Sequence, residues 1–104
     1  MVVKIKANDK DKDTPTGKLA DAEVHFTDGA LEGMKLIGFS IWEKKGGGPG
    51  RNVTFPARAY SVNGERRNFA LLRPVINDSH SQDRIRELVL QAYAEYEAQA
   101  AVAS

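Results

Sequence analysis

All seven arginines of this 104-residue chain lie between Arg51 and Arg86. A guanidinium presents a planar fork that suits phosphate, base edges and carboxylates alike. Lys44 and Lys45 precede the run, and only Glu65, Asp78 and Asp83 oppose it, so residues 44–86 carry +6. The flanks are acidic: residues 1–43 hold six lysines against eight Asp/Glu, and three glutamates with no base follow Arg86. A net charge of +1 thus conceals one basic segment, which can attract a polyanion. Within it, Arg58 and Tyr60 face Arg66 and Arg67 across Asn63-Gly64. Such a group can stack a base and hold phosphates, or its arginine stems can simply cover sheet surface. Arg73 can reach the rim of its strand or pair with Asp78 or Asp83. Arg84 and Arg86 fall near a helix start, Arg84 at the edge of the apolar stripe and Arg86 pointing away from it. Cations there oppose the helix dipole, which fits an external anion as well as plain solubility.

Other spacings carry less chemistry. The run Gly46-Gly47-Gly48-Pro49-Gly50 ends in Arg51 and opens a strand. A phosphate-binding loop ends in Gly-Lys-Ser/Thr and opens a helix, so that reading is rejected. What remains is a flexible hairpin connection over 44–51, or a basic finger carrying Lys44, Lys45 and Arg51. Asp9, Asp11 and Asp13 lack the glycine and glutamate a calcium loop requires, because Thr14 and Ala20 occupy those positions. Asp21, Glu23 and His25 share a strand face, and an ordinary half-solvated face accounts for them. No nucleophile stands beside a base, so no catalytic residue, metal site, cofactor or small-molecule substrate is expected. Cysteine is absent, which removes disulfides and thiolate chemistry. No apolar run approaches the ~18 residues of a membrane span, and no signal-like N-terminus is visible. The expectation is a cytoplasmic protein.

The elements that would position these groups follow from periodicity. Residues 1–7, 18–26, 34–42, 52–60 and 67–75 alternate as five strands. Asp28-Gly29 and Asn63-Gly64 mark hairpins, the second of type I′. In the third strand, Ile37, Phe39 and Ile41 oppose Leu36, Gly38, Ser40 and Trp42. Trp42 is read as sheet packing, a dimer contact or a stacking platform. Pro56 cannot donate to a ladder, so it marks an edge or a bulge. Ser79 and Gln82 have capping-box spacing, and a helix runs to about residue 100. Ile85, Leu88, Val89, Ala92, Tyr93 and Tyr96 form its apolar stripe. The alanine-rich end, 97–104, is expected to fray. The fold class is α+β: one domain over 1–104, an antiparallel five-stranded meander with an amphipathic C-terminal helix packed on one face.

From Met34 onward the chain resembles the stage V sporulation protein G (SpoVG) family. The matching pieces are the strand around Gly38, Phe55-Pro56-Ala57-Arg58, the Asn63-Gly64-Glu65 turn, Arg67 with Arg73-Pro74-Val75, Ser79/Ser81, Arg84-Ile85 and the Val89…Tyr93 stripe. About two-thirds of the chain is covered. Arg73 stands where that family has histidine, the 44–51 insertion is atypical, and the tail is alanine-rich. The resemblance implies a sheet-plus-helix protein that dimerises through a sheet edge and binds DNA, in some cases RNA, as a regulator. It points to Arg84, more weakly to Arg86, and to Arg58 as a basic position.

Residues and resemblance together predict a small bacterial nucleic-acid-binding regulator acting as a homodimer. The expected contacts are Arg84, Arg86, Arg58, Arg66, Arg67, Lys44, Lys45, Arg51 and Tyr60. The competing reading is a protein-interaction module that uses the Pro56 edge or the Trp42 face and binds no nucleic acid.

Overall fold

The computed structural model describes residues 1–7, 15–44, 50–76 and 80–103. Strands β1 (Val2–Ala7), β2 (Lys18–His25), β3 (Lys35–Glu43) and β4 (Arg51–Thr54) form one antiparallel sheet in sequence order. Strands β5 (Ala57–Val62) and β6 (Glu65–Ala70) form a separate two-stranded ribbon, and helix α1 spans His80–Ala103.

The alternation read in β1 and β2 places Val3, Ile5, Ala20, Ala22 and Val24 toward the helix. Ala20, Ala22, Val24, Phe39, Ile41, Val89 and Tyr93 are buried and make the core. Small alanines on the middle strand let the helix approach, and Phe39, Ile41 and Val89 fill the space. Complete burial of each such side chain contributes about 1.5–3 kcal/mol. The ring of Phe55 meets Phe39 edge-on, with centroids 5.3 Å apart. The helix lies against β1 and β4, the two edges of the sheet. Its buried stripe is narrower than expected, since Leu88 is exposed while Ile85, Val89, Tyr93 and Tyr96 face inward. No helix among the described residues is long and apolar enough to cross a membrane.

The α+β class, the antiparallel pairing and the C-terminal helix stand, but the five-strand meander does not. The fourth expected strand, 52–60, is cut in two. Phe55-Pro56 interrupts it, β4 ends the sheet, and β5 leaves to pair only with β6. Proline supplies no ladder donor, and here it also sits against β3: a Cβ added to Gly38 would lie 3.1 Å from the Pro56 Cβ. The fifth strand ends at Ala70 rather than near Pro74.

The facing in β3 is also corrected. Ala22 pairs with Phe39 but Val24 pairs with Leu36, so β3 carries one extra residue. This bulge centres on Gly38 at φ +109° and reverses the alternation before it. Leu36 therefore turns inward, while Ile37 is exposed. Trp42 packs on the outer face of the sheet, where its indole N–H donates to Thr54 Oγ1 at 2.9 Å.

Candidate nucleic-acid interface

The ribbon is built by its turn. Asn63 and Gly64 have φ of +52° and +82°, the two positive values a type I′ hairpin requires. Pairing then runs outward without slippage from Val62–Glu65 to Ala57–Ala70. At the base, the Leu71 amide donates to the Pro56 carbonyl at 3.0 Å. Every residue of β5 and β6 is exposed, and the ribbon has no extensive packing on the sheet or the helix. With all twelve of its strand residues exposed, the ribbon stands as an arm.

Cross-strand partners share a face. One face of the arm carries the pairs Arg58–Phe69, Tyr60–Arg67 and Val62–Glu65. The other carries Ala57–Ala70, Ala59–Asn68 and Ser61–Arg66. The first face joins three of the expected residues, Arg58, Tyr60 and Arg67, and adds two that were not among them, Phe69 and Arg73. The Arg73 guanidinium lies over the Phe69 ring, 4.0 Å from its centroid, and its Nε donates to the Ala70 carbonyl at 2.9 Å. Tyr60 and Phe69 are 41% and 46% exposed, large values for aromatics in the middle of a strand pair. Counting outward from Asn63-Gly64 would have placed Phe69 opposite Arg58. Arg73, read as able to reach the rim of its strand, does so from beyond the strand's end at Ala70. Arg66 falls on the opposite face.

The remaining expected residues divide. Arg51 faces the helix, pairing with Glu97 at 3.4 Å and donating to the Gly50 carbonyl at 3.0 Å, with its Nε buried and without a partner. Beside it, burial raises the Tyr93 hydroxyl above its usual pKa; Glu97 adds to the effect and Arg51 offsets it. Arg86 pairs with Asp83 at 2.6 Å and lies over the Phe55 ring at 5.6 Å. That reverses the expected helix geometry: Arg86 borders the apolar face, whereas Arg84 is exposed. Lys44 is exposed at the end of β3. Lys45, the glycine run to Pro49, Asp78, the capping Ser79 and the three aspartates at 9, 11 and 13 lie outside the described residues.

The Arg67–Glu65 pair, at 3.3 Å, is solvent-exposed on both sides and so contributes little. Among the described residues, Arg58, Arg66 and Arg84 form no ion pair. Arg73 and the helix start, Ser81, Gln82 and Ile85, line one apolar cleft of about 150 Å³ with Phe26, Leu36 and Phe55. The arm's base therefore adjoins the first turns of α1.

The Asp21, Glu23 and His25 trio is an ion-paired strand face. Glu23 accepts from His25 at 3.0 Å and lies 3.4 Å from Lys35 and 4.0 Å from Lys6. The His25 bond, opposed by desolvation and aided by the lysines, holds its carboxyl below the ordinary value. Asp21 pairs with Lys18 at 2.7 Å. Among the described residues no carboxylate–imidazole group is arranged to hold a metal.

No protein-family model matches the chain, and no curated protein or solved structure matches it either.

Proposed function

We propose that this protein binds nucleic acid, DNA or RNA, through the aromatic–arginine face of its arm, and that it acts as a dimeric bacterial regulator in the cytoplasm. One observation carries the reading. Arg58, Tyr60, Arg67, Phe69 and Arg73 stand together on one exposed face of a ribbon that has no extensive packing on the sheet or the helix. Isolated two-stranded hairpins are marginal in water, so an arm of this kind gains from a ligand that covers it. Cations alternating with aromatic rings suit a polyanion whose units have flat faces. Arg84 and Arg66 add phosphate contacts from neighbouring surfaces. Such contacts set position and strengthen binding without reading sequence.

The likeness to the SpoVG family belongs to this proposal, supported by its own motif residues. Gly38 and Pro56 meet, and Asn63-Gly64-Glu65 makes the turn that sets the arm. A dimer through a sheet edge has β1, β4 and both arm strands available. Two arms on one particle raise the effective affinity of a modest single face. The apolar cleft, about 150 Å³, is smaller than the ~300 Å³ at which small-molecule sites begin.

Titration with short DNA and RNA at rising salt tests the reading. Binding at low salt should weaken as log salt rises, with a slope that falls by about one for each phosphate contact removed, as in Arg58→Ala. Absence of low-salt binding, or binding indifferent to salt, overturns it.

One observation favours the competing protein-interaction reading. Leu71, Val75 and Ile76, beside the apolar cleft, are 57%, 104% and 74% exposed. If that reading holds, Arg58→Glu leaves nucleic-acid retention at background while Leu71→Asp abolishes capture of a protein partner.

A further inference from the structure

The two faces of the arm differ in chemistry, and the difference separates two kinds of nucleic acid. A two-stranded ribbon fits the major groove of a duplex, where it reads base edges with amides, hydroxyls and arginine forks. The amide and the aliphatic hydroxyl of the ribbon, Asn68 and Ser61, lie with Arg66 on the face that also carries the alanines. The opposite face holds the aromatic rings. In a duplex the flat faces of the bases are covered by their neighbours, so exposed rings on a rigid ribbon have nothing to stack on. In an unpaired strand those faces are open.

The spacing fits this use. Tyr60 and Phe69 are diagonal neighbours, positions about 7–8 Å apart, so each ring can serve its own base. Each has an arginine directly across the ladder, Arg67 beside Tyr60 and Arg58 beside Phe69, placed for the phosphate that accompanies the base. Arg73 already covers one side of Phe69. Its planar guanidinium, on an exposed residue, extends the stacking surface outward. Three arginines against Glu65 leave the face positive, complementary to a strand's phosphates. The contacts this face offers, rings to base faces and guanidinium forks to phosphates, are groups that DNA and RNA strands share.

Resting on the reading of the arm as the nucleic-acid surface, we infer that its ligand is an unpaired strand, held by base stacking and phosphate contacts without regard to the sugar. Tyr60 and Phe69 carry the stacking; Arg58, Arg67 and Arg73 carry the charge.

The test is fluorescence anisotropy of the full chain with labelled oligo-dU, oligo-U and a dA·dU duplex. Strands of about 15 nucleotides match the known range of single-strand site sizes. Both single strands should bind within a few-fold of each other, and the duplex at least tenfold more weakly. Tyr60→Ala should lose roughly 5- to 150-fold in single-strand affinity, while Tyr60→Phe, which keeps the ring, retains it. Because the arm is free of the core, both variants should keep the parent thermal midpoint, which separates lost binding from lost fold. Equal or tighter duplex binding overturns the inference, as does a loss caused by Asn68→Ala but not by Tyr60→Ala. A more than tenfold preference for either sugar removes the indifference claimed. In those cases nucleic-acid binding itself survives. No salt-sensitive binding to any of the three probes sinks both readings together.

Discussion

Pro56 rests against Gly38, so closely that a Cβ at position 38 would stand 3.1 Å from the Pro56 Cβ. The glycine is the bulged residue of β3, at φ +109°, and the proline is the break between β4 and β5. The two irregularities are one joint. The bulge makes room for the proline, and the proline turns the chain off the sheet and into the arm.

Gly38→Ala should therefore be costly, through a backbone conformation that side chains rarely adopt and beside a buried ring that would have to give way by a few tenths of an ångström. A loss of roughly 1–3 kcal/mol is expected from the backbone alone. Thermal unfolding checks it: each kilocalorie should lower the midpoint by roughly 4–8 °C at this size. A midpoint equal to the parent's would show that the joint does not hold the fold.

Gly64→Val acts on the arm without touching the core. Position 64 needs φ of +82°, which disfavours a β-branched side chain. Amide exchange should accelerate through β5 and β6 while β2 and β3 keep their protection. Single-strand affinity should fall with the arm's order. Uniform loss of protection across all strands would mean that the ribbon is coupled to the core after all.

Arg84 and Arg86, two residues apart, should behave as opposites. Arg84→Ala should weaken nucleic-acid binding several-fold and leave the stability within about 0.5 kcal/mol of the parent, as for most surface changes. Arg86→Ala removes the partner of Asp83 and the cation over Phe55, so it should lower stability and spare binding. The reverse pattern would return Arg86 to the interface.

Glu23 supplies a pH signature. Its carboxyl titrates below the ordinary 4.5, chiefly because of the His25 bond. A depressed carboxylate adds stability that is complete above its unfolded value and is lost as pH falls through the folded one. His25→Ala should raise the Glu23 pKa, read by carbon-detected NMR, and reduce the stability lost as pH falls below the ordinary 4.5. An unmoved Glu23 titration would assign the depression to the lysines instead.

Much of the arm was legible from its turn. Asn63-Gly64 dictates the hairpin because each residue accepts positive φ, and the register then pairs Tyr60 with Arg67 unaided. The helix was legible from Ile85, Val89, Tyr93 and Tyr96 recurring at its period. What escaped was the identity of the free cations. Arg51 lies on the helix-facing side of β4, and Glu97 waits there from a segment 46 residues away. Arg86 turns toward Phe55 because of how the helix is rotated on the sheet.

Local signals, then, determine elements: alternation makes the strands, a two-residue turn makes the ribbon, and 3.6-residue recurrence makes the helix. Their energies lie within a few neighbouring residues, so the chain declares them by itself. Whether the fourth strand continues past Pro56 depends on a bulge in another strand. Whether an arginine is offered to a ligand depends on which carboxylate or ring the packed helix brings to it. Those contacts join distant parts of the chain, and only the tertiary structure could decide them.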